Sequence, residues 1–282
     1  MFLTIVSKVK NNLIKWQFIV PVILFVVVIF MGDSPVFEDG VRQSIFYLIT
    51  KYSKEDMMVF GDQVLWYKVL FQIRDFKWFV VLFPMFVSFC SATDYYNHML
   101  SGYQRFGIIR SERKKYIIVN IVSTILLTVV TITFVYAVVT GLLIIYFPNG
   151  EISSTVFCTY LKMYLNLILV GVGSSLFVIA LLEVVKDVFF ALSIPMVVNY
   201  SCFMILNYHL AKLYEKYGFE YSLDYLKIEM INPVYLMTGD YEFEMLFHHS
   251  YFAFVVILIV LFSLLGGLIL MAVEHRIRVQ ER

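Results

Sequence analysis

The run YIIVNIVSTILLTVVTITFVYAVVTGLLIIYF, residues 116–147, contains no Asp, Glu, Lys or Arg. A transmembrane helix needs about 20 mostly apolar residues to cross roughly 30 Å of hydrocarbon. At 1.5 Å per residue, a straight helix over this run would be about 48 Å long. The run therefore predicts a membrane-spanning helix that tilts or projects beyond the bilayer.

The rest of the chain has a similar character. Of its 282 residues, 61% are hydrophobic and only 15% are charged, and the mean hydropathy is +0.81. These values lie outside the usual range of soluble domains. The apolar blocks are continuous rather than alternating, which disfavours a β-barrel. We therefore predict an all-α polytopic membrane protein in which residues 1–282 form a single transmembrane domain.

Scanning the chain for apolar runs of sufficient length predicts six transmembrane helices. Pro21 and Pro84 lie within the first two, where local kinks are expected. Between the first two spans, the aromatic-rich residues 33–75 suggest a structured cap rather than a flexible linker. The predicted spans cover residues 16–32, 76–93, 116–147, 159–182, 188–207 and 250–273.

The charge distribution predicts the orientation. Six spans place both termini on one side, and that side then carries twelve Lys/Arg and six Asp/Glu, against ten and fifteen on the other. Short loops rich in Lys and Arg stay in the cytoplasm. Both termini are therefore expected to be cytoplasmic, and residues 33–75 and 208–249 are expected to face outward.

The N-terminal residues 1–15 have the pattern of an amphipathic helix that lies in the membrane interface. Lys8, Asn11, Asn12 and Lys15 share one face and there are no acidic residues. A cleaved signal peptide is the alternative, which the absence of an A-x-A-like site after Met31 disfavours. The apolar face consists of Phe2, Val6, Val9, Leu13 and Trp16.

Sequence signatures of catalysis are missing. The chain has no GxxxxGK[ST] phosphate loop and no HExxH or GxSxG motif. We therefore expect no catalytic residue, no metal site and no cofactor bound by this chain, and no nucleic-acid partner. Any ATP and Mg²⁺ would bind to another subunit. Cys90, Cys158 and Cys202 lack the spacing of a zinc or disulfide framework and are expected to pack as apolar side chains.

The polar stretch DYYNHMLSGYQRFGIIRSERKKY, residues 94–116, separates the second and third predicted spans. Its first part has aromatic and apolar residues at near-helical spacing, and Gly107 then allows a turn. Its second part is a cytoplasmic basic cluster. One interpretation is a solvated loop whose cations bind anionic headgroups at about 1 kcal/mol each. The cluster consists of Arg110, Arg113, Lys114 and Lys115.

The order of these parts resembles the permease subunits of the type-2 class of ABC exporters. In that family a polar helix after the second span is followed by a glycine, a short hydrophobic stretch and an S-R-x-x-Y/F pattern. The family commonly has a Glu shortly before the glycine. In this chain the acidic residue is Asp94, which lies further from the glycine. The matching features are residues 94–98, Gly102 or Gly107, Ile108 and Ile109, and Ser111, Arg113 and Tyr116.

The resemblance implies that residues 94–106 form a cytoplasmic coupling helix that docks on a separate ABC ATPase subunit. It also implies a homo- or heterodimer of permeases with the substrate path between the copies, in a bacterial cell membrane. The small residues 171–175 and the pair Gly266 and Gly267 are candidates for close packing, within one chain or between copies. The docking residues would be Asp94, Tyr95, His98, Met99, Gly102, Tyr103 and Phe106.

Two alternatives to the exporter remain open at this point. One is a membrane-embedded signalling or scaffold protein, and the other is a secondary transporter or membrane enzyme with an unrecognised site. The spans show no chain of intramembrane carboxylates, which weakens the transporter alternative. Peptides, lipidic molecules and drugs would all suit the resembling family, so the sequence does not select a substrate.

Overall fold

The computed structural model describes residues 2–38, 41–73, 76–101, 113–217, 264, 266–268 and 271. Helices dominate these ranges, and two short strands are the exception. The elements are α1 Phe2–Leu13, α2 Trp16–Phe30, β1 Asp33–Glu38, β2 Val41–Ser44, α3 Ile45–Lys51, a 3₁₀ helix Asp56–Val64, α4 Trp66–Gln72, α5 Lys77–Leu100, α6 Arg113–Tyr146, α7 Ser154–Val185 and α8 Val188–Tyr217.

Four of the described helices are long and apolar enough to cross a membrane, namely α5, α6, α7 and α8. The count becomes five if α1 and α2, which meet at a 57° bend, form one broken span. The chain is thus a mostly helical membrane protein, as its composition predicts. The sixth predicted span, residues 250–273, falls almost wholly outside the described residues.

Helix α5 is longer than the second predicted span. Residues 76–93 were expected to cross the membrane, but α5 continues without a break to Leu100. Neither Gly nor Pro occurs between Pro84 and Ser101, so nothing in the local sequence stops the helix. The first part of the polar stretch is therefore the C-terminal end of α5.

Helix α5 occupies the centre of the bundle, where it packs against α2, α6, α7 and α8. Close approach to α7 depends on Gly171, which is buried. A Cβ atom added there would lie 2.4 Å from Ile132 Cδ1 and 3.1 Å from Val87 Cγ1. Gly171 therefore packs between helices of the same chain. At Gly266 and Gly267, by contrast, such a Cβ atom would meet none of the described residues within 4 Å.

Pro84 lies inside α5 and has no N–H to offer the carbonyl oxygen of Val80, its usual partner four residues earlier. Asn199 of α8 donates its side-chain N–H to that oxygen at 3.3 Å. Prolines are tolerated in membrane helices where a neighbouring helix satisfies the freed backbone group in this way. Asn199 thus repairs the break that Pro84 introduces.

The bond between Asn199 and Val80 predicts that substitutions of Asn199 and of Pro84 have non-additive effects on stability. Asn199→Leu should destabilise the protein by about 1 kcal/mol because the Val80 carbonyl loses its donor. In a Pro84→Ala background the helix supplies its own N–H, so the same change should cost much less. A double-mutant cycle measured by thermal unfolding in detergent tests this. Equal costs in both backgrounds would contradict the repair role.

Residues 33–38 and 41–73 form a folded cap, as their aromatic content predicts. The antiparallel pair β1 and β2 is followed by α3, the 3₁₀ helix and α4, and Ile45, Leu48 and Val64 are almost fully buried. The cap is bonded to the last turn of α6 and to the residues that follow it. Lys54 Nζ donates to the Ile144 carbonyl oxygen at 2.8 Å, and the Trp66 N–H donates to that of Pro148 at 3.2 Å.

A polar cluster around Glu38 holds the hairpin against α3. The carboxylate accepts hydrogen bonds from Lys51 Nζ at 2.7 Å and from the hydroxyls of Tyr47 and Tyr52, both at 2.9 Å. These bonds, that from Lys51 most strongly, lower the pKa of Glu38 below its ordinary value of 4.5. The carboxylate also raises the pKa of the Lys51 ammonium.

The lowered pKa predicts an acid-labile cap. The pairing stabilises the cap fully above about pH 4.5 and is lost as the pH falls through the lower, folded-state pKa of Glu38. Cleavage of the cap by pepsin should therefore accelerate as the pH falls below 4.5. Because pepsin itself becomes more active in acid, each rate must be divided by the rate for a denatured substrate at the same pH. After this correction the Glu38→Gln variant, which cannot titrate at position 38, should show a smaller acceleration than the wild type. Asp56, whose pKa is lowered by Ser53, changes in the same direction, so both proteins should carry Asp56→Asn.

Candidate functional site

A cluster of charged side chains lies where α1, the end of α5 and the start of α6 meet. Its centre is Asp94 on α5, whose side chain is only 8% exposed. The Asp94 carboxylate lies 3.2 Å from Lys8 Nζ and 3.4 Å from Lys15 Nζ. His98 Nε2, one helical turn further along α5, lies 3.5 Å from the same carboxylate. We call these four residues the charge cluster.

Two asparagines extend the charge cluster. Lys8 Nζ donates to Asn120 Oδ1 of α6 at 2.8 Å, and Lys15 Nζ donates to Asn12 Oδ1 at 2.7 Å. Both asparagines are buried. A buried carboxylate is stable only when it is paired and hydrogen-bonded, and here cations from α1 and its flanking turn provide the pairing. Lys8 consequently connects three helices at one point.

Helical spacing explains why these residues meet. Lys8 and Asn12 are four residues apart on α1, so they share a face, and so do Asp94 and His98 on α5. The polar face of α1 therefore turns toward the bundle rather than toward water alone. Val6 and Trp16, from the predicted apolar face, are 45% and 64% exposed and so remain available to lipid.

A second buried polar pair lies next to the charge cluster. The Tyr95 hydroxyl donates to Glu183 Oε1, which joins α5 to the last turn of α7, and both residues are buried. The α7–α8 turn follows at once. Lys186 there adopts a left-handed conformation with φ 58°, and Asp187 Oδ1 accepts the Phe190 N–H at 3.0 Å. The end of α5 is thus fixed to α1, α6 and α7.

The predicted docking residues divide into two groups. Asp94 and Tyr95 are buried against helices of their own chain, while His98 and Met99 are half-buried near the end of α5. Gly102, Tyr103 and Phe106 lie outside the described residues, so the docking role of the segment stays a prediction. In the basic cluster, Arg110 is also outside, Arg113 and Lys114 begin α6, and Lys115 is exposed.

Sequence reasoning missed Lys8, Lys15, Asn120 and Glu183 as members of this site. The position of Asp94 directly after an apolar run predicts the start of a cytoplasmic segment, but it is equally compatible with pairing to the upstream lysines. The three cysteines are free, with Cys90 buried, Cys202 half-buried and Cys158 exposed. Within the described ranges no group of three or more His, Cys, Asp or Glu could hold a metal ion.

Comparisons of the chain with protein-family models, with curated protein sequences and with solved structures give no match.

Proposed function

We propose that this chain is the permease subunit of an ATP-driven exporter of the type-2 ABC class. The observation that supports this proposal best is the charge cluster, because it ties together the three elements that coupling would have to move. These are α1, the end of α5 and the start of α6. Residues 101–112, which contain the last six residues of the proposed coupling segment 94–106, connect the last two of them.

The charge cluster would transmit a displacement of the coupling segment to α1 and α6. Asp94 lies less than two helical turns before Leu100, where α5 ends. A partner that shifts residues 101–106 would pull on Asp94, and the bonds of Lys8 would carry that shift to α1 and α6. Binding of ATP by the partner would thereby favour one arrangement of the spans over another. The permease itself would contribute no chemistry.

The proposed assembly contains two permeases, identical or different, and two ATPase subunits that bind ATP and Mg²⁺. Each permease would cross the cell membrane six times, with the sixth span in residues 250–273. Both termini and the charge cluster would then lie at the cytoplasmic side, in agreement with the distribution of Lys and Arg. The folded cap would close the outer side of each permease.

Copurification of an ATPase tests this proposal. Met99→Glu/Tyr103→Glu should abolish recovery of the ATPase, because a helix buried in a partner groove tolerates an unpaired charge badly. Lys114→Gln/Lys115→Gln is the matched control and should leave recovery nearly unchanged, because headgroup contacts are individually small. Since Met99 is half-buried, recovery must be compared at equal amounts of folded membrane protein. Equal recovery with all variants would favour the solvated loop instead.

One observation favours the secondary transporter as a second candidate. The structure buries two carboxylates, Asp94 and Glu183, inside the helix bundle, where ionisable groups commonly mark proton or ion paths. If that candidate is correct, the purified chain alone should carry protons across proteoliposomes along a pH gradient. Asp94→Asn and Glu183→Gln should each abolish this movement. A signal that persists in both variants would exclude the role.

A further inference from the structure

Buried polar side chains follow one ridge along most of the length of α6. Residues four apart lie on the same ridge of a helix, and here every fourth residue from 120 to 140 is polar except Ile132. Each of the six is at most 9% exposed. Buried polar side chains in a membrane helix either join it to other helices or mark a path for ions or protons. This polar ridge consists of Asn120, Thr124, Thr128, Ile132, Tyr136 and Thr140.

The first half of the polar ridge is continuous with the charge cluster. Asn120 accepts a hydrogen bond from Lys8 Nζ at 2.8 Å. Two turns further along α6, Thr128 Oγ1 donates to Ser175 Oγ of α7 at 2.9 Å, and Ser175 Oγ donates to Ser88 Oγ of α5 at 3.3 Å. Hydroxyl groups from three helices thus meet inside the bundle.

Two buried serines lie between these points. Ser91 is three residues from both Ser88 and Asp94, so the three residues share a face of α5. Ser123 is on α6, next in sequence to the polar ridge, and its Oγ has no hydrogen-bond partner among the residues that the structure describes. Buried polar groups without a protein partner are commonly bonded to internal water. Water can therefore reach this half of the bundle from the charge cluster.

The second half of the polar ridge leads to the end of the bundle that carries the cap. The Tyr136 hydroxyl donates to the Tyr160 carbonyl oxygen at 3.2 Å, and the hydroxyl oxygens of Tyr160 and Thr140 are 3.5 Å apart. Tyr160 is half-buried, so this group of hydroxyls is in contact with the surface. The polar ridge therefore approaches both ends of the bundle.

An apolar barrier separates the two halves. The side chain of Ile132 fills the space that Gly171 leaves, since a Cβ atom there would lie 2.4 Å from Ile132 Cδ1. Beside it is an apolar cavity of about 30 Å³, to whose lining Ile132, Val135 and Tyr136 contribute. One water needs about 10–15 Å³, so about two or three would fit, but cavities with an apolar lining stay dry. Dry apolar constrictions of this kind close membrane channels.

We propose that the polar ridge is a path for protons through a single copy of the chain, and that Ile132 and the cavity are its closed gate. The gate opens when water fills the cavity and connects Thr128 with Tyr136. A metal cation would find no oxygen ligands in the apolar part of the lining, whereas a proton needs only a file of waters. This path differs from that of the exporter, which would lie between two copies, and it does not require Asp94 or Glu183 to release a proton.

Proton uptake by proteoliposomes that contain pyranine tests the gate under a K⁺ diffusion potential. Ile132→Thr keeps the branched shape and places a hydroxyl in the barrier. Uptake should become about tenfold faster than with the wild type, because the hydroxyl adds one or two hydrogen bonds to water in the cavity. Val135→Thr changes another lining residue with almost no change in shape, and it should have the same effect even if Ile132→Thr fails to fold. Uptake at the wild-type rate in the folded variants would overturn the proposal.

Two further variants distinguish the path from a general leak. Leu126→Thr introduces a hydroxyl where α6 is 40% exposed and should leave the rate of uptake unchanged. Thr128→Val, added to Ile132→Thr or Val135→Thr, removes the hydroxyl next to the gate and should abolish most of the increase. A leak through Leu126→Thr, or one that survives Thr128→Val, would show that protons do not follow the polar ridge and would also overturn the proposal. Neither result bears on the exporter proposal, whose test measures recovery of the ATPase.

Discussion

Replacing Asp94 by alanine is expected to destabilise the protein by about 3–5 kcal/mol, the usual cost of removing one partner from a buried ion pair. Lys8, whose side chain is only 19% exposed, would lose its counter-charge, as would Lys15, and His98 would lose its contact with the carboxylate. Helix α1 should then detach from α5 and α6. Thermal unfolding measures the first effect, and the rate of tryptic cleavage at Lys8 and Lys10 measures the second.

Two further variants decide whether the loss comes from the ion pair itself. Asp62→Asn removes a carboxylate from an exposed position of the cap and should have almost no effect. The pair Lys8→Met/Asp94→Leu replaces both charges by apolar groups and should recover much of the stability that Asp94→Ala loses. If the double variant is as unstable as the single one, the destabilisation does not arise from an unpaired Lys8.

The second large effect is expected at Gly171. Gly171→Leu would insert a side chain where even a Cβ atom would lie 2.4 Å from Ile132 Cδ1. Overpacking of this kind costs about 1–3 kcal/mol and forces helices apart. We expect a lower unfolding temperature and a loosened contact between α7 and its neighbours α5 and α6. Cross-linking of cysteines introduced at Ser88 and Ser175, whose hydroxyl oxygens are 3.3 Å apart, should become less efficient.

Gly141 provides the matched control because it lies in α6, also inside a helix. A Cβ atom at Gly141 would meet nothing within 4 Å in the part of the chain that the structure describes. Gly141→Leu should therefore be neutral or slightly stabilising, since leucine favours helix more than glycine does. Equal damage from both substitutions would show that the cost lies in the residue type and not in the packing at Gly171.

Local sequence predicts most of the helical fold. The uncharged run at residues 116–147 corresponds closely to α6, which covers Arg113–Tyr146, and Ser153 starts α7 by accepting the N–H of Val156. These features depend on neighbouring residues along the chain, which a sequence displays directly. The cap was likewise foreseeable as a folded segment, because its aromatic residues are too many for a flexible linker.

The charge cluster was not foreseeable in the same way. Whether Asp94 lies in water or inside a bundle depends on Lys8 and Lys15, which come from a different helix. The apolar pattern of α5 ends near residue 93, but the helix continues because its partners stabilise a charge there. The role of Asn199 was not foreseeable either, because it follows only from a contact with Val80, which belongs to a helix far away in the sequence.

The contact between Asn199 and Val80 also bears on how the protein is made. Helix α5 leaves the ribosome long before α8, because the two bonded residues are 119 positions apart in the chain. The lysines that pair with Asp94 precede it in the chain. The charge of the Asp94 carboxylate can therefore be paired as soon as α5 is inserted. The Val80 carbonyl oxygen instead lacks its hydrogen-bond donor until Asn199 has been synthesised. During synthesis α5 therefore passes through a stage in which one backbone oxygen lacks its final partner, and α8 completes a helix that was inserted much earlier.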